Sequence, residues 1–292
     1  MKAAFLPDRG VVKVTGDGAR DFLNGLITTD TTLLRPGLGR FGALLTPQGK
    51  IMVDFLITEA PSGHGGGFLI DCPKPIAQGL ADKLGFYRLR AKVGIENLSD
   101  SLGVLAAWDG DAALKPDLAF DDPRHPSLGF RVLLPQDLAQ KATDLIGAQM
   151  VDGSAYEAHR IALGVPRGGL DFTYGDAFPH ETNMDRLHGV DFDKGCYVGQ
   201  EVVSRMQHRG TARTRTVRIS LEDAPEPGTA VLAGDKSVGV MGSAADHHGL
   251  ALIRIDRASE ALEAGTPLTA GGLSIRVTDP DELRTAPRQT VA

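Results

Sequence analysis

With 292 residues, of which 42% are hydrophobic and 23% charged, the chain has room for one large or two to three smaller domains and does not have the composition of a disordered protein. A formal net charge of −6 argues against bulk nucleic-acid binding, while leaving room for a local basic patch. No apolar run approaches the ~18–20 residues that span a bilayer, and the opening Met1 to Asp8 holds no apolar core of signal-peptide length.

A cytoplasmic setting without membrane contact is therefore expected. Cys72 and Cys196 are the only cysteines. With no C-x-x-C spacing they predict free thiols, and an all-cysteine metal or cluster site within one chain is not expected.

The chain opens as strand, helix, strand. Val11 to Val14 forms a short strand, and Asp17 is expected to cap a helix whose apolar face is Ala19, Phe22, Leu23, Leu26 and Ile27. Phe41 to Leu45 and Ile51 to Ile57 flank the turn Thr46-Pro47-Gln48-Gly49-Lys50, a hairpin-like pair. The glycine-rich stretch Ser62 to Gly67 lacks the G-K-[ST] and following helix of a phosphate loop, so a hairpin loop before the strand Phe68 to Asp71 is the better reading.

Residues 86 to 95 alternate, with Tyr87, Leu89, Ala91, Val93 and Ile95 on one side and Arg88, Arg90 and Lys92 on the other. That pattern predicts a strand whose basic face either meets an anionic ligand or is simply solvated. Ser154 and Glu157 read as the capping box of a helix ending at Gly164. After Gly210 come five short strand-like segments with no convincing helix, starting at Thr214, Thr229, Ser237, Leu250 and Ser274, the pattern of a small β-barrel or sandwich.

The chemistry gathers at Lys194-Gly195-Cys196-Tyr197-Val198-Gly199-Gln200-Glu201. Six acids stand against one arginine from Asp171 to Asp193, and six bases against one acid from Lys194 to Arg218. Such a switch of sign suits either a cleft for a charged ligand or a surface helix with paired charges. Val198, Val202, Val203 and Met206 are assigned to that helix's buried face, and Arg209-Gly210 to its stop. A nearby cation and a helix N-terminus both stabilise a thiolate, so Cys196 is a candidate reactive thiol poised by Lys194; a small buried hydrophobe is the alternative reading. Cys72 is assigned to a strand end.

The eight-residue run resembles the K-G-C-Y-x-G-Q-E signature of the YgfZ family, folate-binding relatives of the glycine-cleavage T-protein that serve iron–sulfur cluster assembly. The likeness extends to Asp21 to Asp30, Ala43 to Lys50 with Asp54, Phe86 to Val93, Glu181 to Met184 and Arg209-Gly210. It implies an α+β fold: a T-protein-like cloverleaf of two α+β lobes (residues 1–210), a small C-terminal β-barrel (211–280) and a tail (281–292). It also implies tetrahydrofolate or a derivative as ligand.

The resemblance further implies transient contact with iron–sulfur client enzymes, among them those of tRNA modification. Separately, a monomer is expected because nothing in the sequence suggests an obligate interface, and the net charge argues against direct nucleic-acid binding. By position, Cys196, Lys194, Tyr197, Gln200 and Glu201 would carry the function, and Asp54, Asn183, Gly199 and Arg205 would line the folate site. Where the true aminomethyltransferases carry two consecutive acids, this chain reads Val53-Asp54, which weakens the alternative of a folate-dependent aminomethyltransferase or demethylase acting on glycine-derived one-carbon units.

Overall fold

The computed structural model describes residues 1–112, 114–210 and 212–283. In chain order the strands and helices are β1 (Lys2–Leu6), β2 (Arg9–Thr15), α1 (Ala19–Asn24), β3 (Arg40–Leu45), β4 (Ile51–Glu59), β5 (Phe68–Pro73), α2 (Lys74–Tyr87) and β6 (Gly94–Asn97). Next come β7 (Gly103–Trp108), β8 (Ala119–Asp121), β9 (Phe130–Leu134), α3 (Ala139–Leu145), β10 (Gln149–Met150), α4 (Gly153–Ala162) and α5 (Gln200–Arg209). The last are β11 (Thr214–Leu221), β12 (Ala230–Ala233), β13 (Lys236–Ala245), β14 (His248–Arg254), α6 (Ile255–Glu263), β15 (Leu268–Ala270) and β16 (Leu273–Val277).

These elements fall into two compact units. The first contains Met1–Leu45, Met52–Tyr156 and Leu187–Val198; the second contains Thr46–Ile51, Glu157–Arg186 and the described residues from Gly199 onward.

The first unit holds two five-stranded sheets, ordered β10-β1-β7-β9-β8 and β3-β4-β5-β2-β6. In the second sheet β2 lies between β5 and β6, with Val12 opposite both Ile70 and Asn97. Helix α2 covers that sheet with Ala77, Leu80, Ala81 and Leu84, the i, i+3, i+4, i+7 stripe of one helical face. Between the two sheets runs a lattice of charge. Asp71 on β5 takes hydrogen bonds from Arg9 Nε (2.6 Å) and Arg131 Nη1 (3.3 Å). Arg124 donates twice to Asp122, at 2.9 and 2.6 Å, and Arg131 Nη2 donates to the Tyr156 hydroxyl at 2.6 Å. Burial works to raise the Asp122 carboxyl, but Arg124, helped by Arg131, outweighs it and holds the group below its ordinary range.

In the second unit β11-β14-β13-β12-β15-β16 close into a six-stranded barrel. Inward residues such as Val217, Ile219, Val231, Ile253, Leu268 and Ile275 alternate with outward ones and pack together, while Arg215, Thr216 and Ser243 are the buried polar residues on these strands. Closure leaves no sheet edge to cover. Ala258 of α6 and Leu283, in a short turn at Pro280–Leu283, join the same cluster.

Several local expectations are corrected. Residues 86 to 95 are not a strand: α2 runs through Tyr87, Leu89 takes φ +44°, and pairing begins only at Gly94. The alternation was that of a helix end followed by a turn, which period-2 counting cannot tell from a short strand. Asp17 makes no cap, since the residue before α1 is Gly18 and no side chain bonds there. The N-terminus of α4 is met by Asp152, whose carboxylate accepts from Ser154 N at 2.9 Å, so Ser154 lies inside the helix and Glu157 pairs instead with Arg160 at 2.8 Å. Helix α6 and strand β15 were not anticipated. The expected tail begins in the ordered turn, where Glu282 accepts from Arg218 Nε at 2.6 Å; its residues 284–292 lie outside the described ones.

Candidate functional site

The segment Leu187–Val198 reaches the first unit late in the chain and is fastened at two points before it presents its thiol. The first point is Asp191. Its carboxylate is gripped by Arg40 Nη2 at 2.6 Å to both oxygens and by the Thr29 hydroxyl at 3.1 Å, while its own N–H donates to Thr28 O at 2.9 Å. The Thr28 hydroxyl completes the grip by donating to Gly189 O at 2.6 Å.

The second point is Lys194. Its ammonium donates to the carbonyls of Asn24, Ile27 and Thr29 at 2.7, 2.7 and 2.9 Å. Asn24 is the last residue of α1, so the lysine satisfies carbonyls that a short helix and the turn after it leave open. An ammonium has three N–H donors, and all are spent here. Burial pushes the Lys194 pKa down to about 8, with Asp30 and Asp191 opposing the fall.

Two residues beyond this anchor, Cys196 is exposed in an irregular stretch. Lys194 has no donor left for a thiolate, so the sequence-based reason for a poised thiol gives way to a geometric one: the lysine holds the loop from which Cys196 projects. Tyr197 turns the other way. It is 7% exposed, the Lys194 ammonium sits 5.2 Å from its ring centre, and its buried hydroxyl has no hydrogen-bond partner among the described residues. Burial, then the charge of Asp191, raises the Tyr197 pKa. Cys72 is the opposite of Cys196. It is buried in the β5 core, and burial pushes its thiol up to about 12.

The other expected residues separate. Asp54, buried on β4, lies in the electrostatic reach of Arg9 and Arg124, at the edge of the charge lattice of the first unit. Asn183, Gly199, Gln200, Glu201 and Arg205 belong to the second unit. Asn183, at φ +58°, donates to Thr216 O at 2.7 Å and accepts from Arg215 Nη1 at 3.1 Å, so both ends of its amide serve β11. Gly199, at φ +82°, is the N-cap of α5. Glu201 and Arg205 are exposed and 4.0 Å apart, a solvent-screened pair. Of the four apolar positions assigned to the helix core, only Val203 is fully buried.

Gly49, at φ +82° in the Thr46–Lys50 turn, sits where a Cβ would meet Val202 Cβ at 2.9 Å, so this turn requires glycine against α5. Asp191 and Arg40 were missed as site residues; the acidic run before the signature was their only sequence trace. Glu181, named only within a motif, accepts from Phe178 N at 2.9 Å, and burial outweighs that bond to raise its carboxyl.

The fold is that of the glycine-cleavage aminomethyltransferases. The structure of aminomethyltransferase T of the glycine cleavage system from Bartonella henselae matches with a TM-score of 0.74, covering 96% of this chain and 85% of that one at 17% identity. Residues 213–285 match the family described as CAF17, C-terminal beta-barrel domain.

The sequence relatives narrow the class. A Pyricularia oryzae protein is 33% identical, covering 91% of this chain and 75% of its own length, and a Mus musculus protein is 30% identical, covering 85% and 76%. A Mycosarcoma maydis protein is 37% identical over 77% of this chain. Each is named iron–sulfur cluster assembly factor IBA57 or its homolog, mitochondrial, and this chain belongs to that family. The chain spans 59% and 57% of the length of the Mycosarcoma maydis protein and a Coccidioides immitis relative. These relatives carry mitochondrial names, which overturns the cytoplasmic expectation; an opening unlike a secretory leader did not bear on that compartment.

Proposed function

We propose that this chain is an accessory factor for the assembly or repair of iron–sulfur proteins, [4Fe–4S] enzymes in particular, and that Cys196 of the YgfZ-type signature meets the cluster or thiols of a client. The observation that carries this reading is the contrast between the thiols: one is exposed on a loop pinned by Lys194 and Asp191, the other buried in a core. One exposed thiol falls short of the four ligands such a cluster takes, so the remaining ligands belong to the client and contact is transient. The cluster is cargo in this reading.

Tetrahydrofolate is the proposed small ligand, and the residues fit it in part. The orphaned hydroxyl of Tyr197 suits a pterin's polar edge and Asp54 is a buried carboxylate in the same unit, whereas both amide atoms of Asn183 already bond to β11 and Arg205 stands on an exposed face. Gly199 would serve the backbone path of the signature, and Gln200 and Glu201 would face the client. When bound, the folate supplies a reduced amine able to carry a one-carbon unit. The side chain of Val53 is buried in the core cluster, so the second carboxylate of the aminomethyltransferases has no equivalent at that position.

The test is [4Fe–4S] enzyme activity in cells lacking the protein, complemented with wild type, Cys196→Ser or Lys194→Met. Wild type is expected to restore activity and Cys196→Ser to fail while folding normally, with Lys194→Met partly impaired. Equal rescue by Cys196→Ser would reject the thiol's role. Normal cluster enzymes in cells without the protein would reject the function.

A further inference from the structure

The turn that follows α2 carries surface chemistry that the cysteine site does not use. Phe86 is 72% exposed and Leu89 is 90% exposed, the latter held at φ +44°, a conformation that a leucine rarely adopts. Phe86 is also fixed in direction. Its ring packs edge-on against Tyr87 with centroids 5.8 Å apart, and Lys83 lies 5.7 Å from its ring centre. Between Asp82 and Glu96 the sequence holds Lys83, Arg88, Arg90 and Lys92 and no acid. Arg88, Arg90 and Lys92 are exposed and form no ion pair among the described residues. Elsewhere in the same unit Arg20, Arg40, Arg124 and Arg131 are each paired with a carboxylate.

We propose that the Phe86–Lys92 turn is a docking surface for an acidic face of the iron–sulfur protein that this chain serves. The identity of the partner rests on the function proposed above; the surface itself does not. Charge complementarity selects the partner: a chain of net charge −6 repels acidic proteins at long range and offers them this basic turn. Guanidinium groups flank Leu89 on both sides, and their planar donors match carboxylates in pairs. Aromatic and arginine side chains around a projecting apolar residue are also the composition of interface hot spots. Leu89 and Phe86 would enter a shallow apolar pocket, with Arg88 and Arg90 reading the acids at its rim.

The experiment uses the full chain and an apo-[4Fe–4S] dehydratase with an acidic surface as the probe. Binding is measured by interferometry across a salt titration, beside cluster loading of the probe. Variants are Arg88→Glu/Arg90→Glu, Leu89→Ser and Arg88→Lys/Arg90→Lys, each checked for unchanged thermal unfolding. The charge reversal is expected to weaken binding about tenfold or more and to flatten its salt dependence, with Leu89→Ser weakening it without changing the salt slope and the lysine pair falling between.

Loading by wild type together with unaltered binding by the reversal overturns the docking surface and leaves the function standing. Binding that the reversal abolishes, without loading of the probe by wild type, supports the surface and counts against the function. Absence of wild-type binding to the probe overturns the docking proposal, as does turn-dependent binding to vesicles containing an anionic phospholipid in place of the probe.

Discussion

The two sheets of the first unit and the barrel of the second solve the same problem with opposite chemistry. The barrel closes on itself and fills its interior with aliphatic side chains, so its order depends on alternation and closure. The first unit has apolar clusters of its own but places Arg9, Asp71, Asp122, Arg124 and Arg131 between its sheets. Buried charge adds little net stability compared with well-packed hydrophobes, yet removing one partner strands the others. The sheets of the first unit are therefore joined by pairing and the barrel's interior is filled by packing, although Arg215 of β11 is itself buried and paired with Asp185. The loop bearing Cys196 is fastened in the pairing style, through Arg40–Asp191 and the Lys194 ammonium.

The largest expected effect comes from breaking the lattice at its centre. Arg131→Met removes the guanidinium that bridges Asp71 and Asp122 and the donor to the Tyr156 hydroxyl, leaving Asp71 with Arg9 and Asp122 with Arg124, and is expected to cost about 3 kcal/mol. Trp108, the only tryptophan, is buried on β7 and packs edge-on against Tyr156 at 5.5 Å, so its fluorescence reports on this unit during denaturant unfolding. In the barrel, Leu268→Ala is expected to cost about 2–5 kcal/mol by opening a cavity, with no change in salt or pH response. A cost below about 1 kcal/mol for Arg131→Met would mean that the lattice is solvated and that the contrast with the barrel is false.

Acid sharpens the comparison further. Asp122 is held below the ordinary carboxylate value in the folded chain, so its contribution is fully present above the unfolded value of about 4 and is lost as the pH falls through the folded one. At the barrel, Asp185 pairs with Arg215 and Asp171 accepts from Ser243, beside an interior cluster of aliphatic side chains that does not titrate. Trp108 emission is expected to shift at a pH where the amides of the β11–β14 pair, such as Val217 opposite Ala251, still resist hydrogen exchange. Simultaneous loss of both signals would show that the two regions unfold as one.

The smallest effect is chemical rather than structural. Ellman's reagent at pH 8 is expected to label Cys196 at once in the native chain, and Cys72, whose pKa is pushed up to about 12, only in denaturant. Rapid native labelling of both thiols would show that the β5 core opens readily.

How far sequence reading reached follows from these two styles. Strands β11, β13, β14 and β16 were legible because a half-buried strand alternates visibly and glycine, proline and aspartate mark its ends. The signature loop and the helix after it were legible as a motif, and the stop at Gly210 as a left-handed cap. Helix α2 was hidden: its apolar stripe includes the small residues Ala77 and Ala81, and its last turn happens to alternate with the turn after it. Asn183 read as a ligand-facing residue because a motif names residue types and says nothing of which backbone group their atoms meet.

By itself the sequence determined the barrel and the presence of one cysteine in a marked context, since both are written in local pattern, and the fold class through the resemblance of its motifs to a known family. Only the tertiary structure decided what Lys194 does. Its partners Asn24, Ile27 and Thr29 lie 165 to 170 residues away, and a lysine's charge, read from sequence, predicts attraction to a thiolate where three carbonyl oxygens in fact take every donor it has.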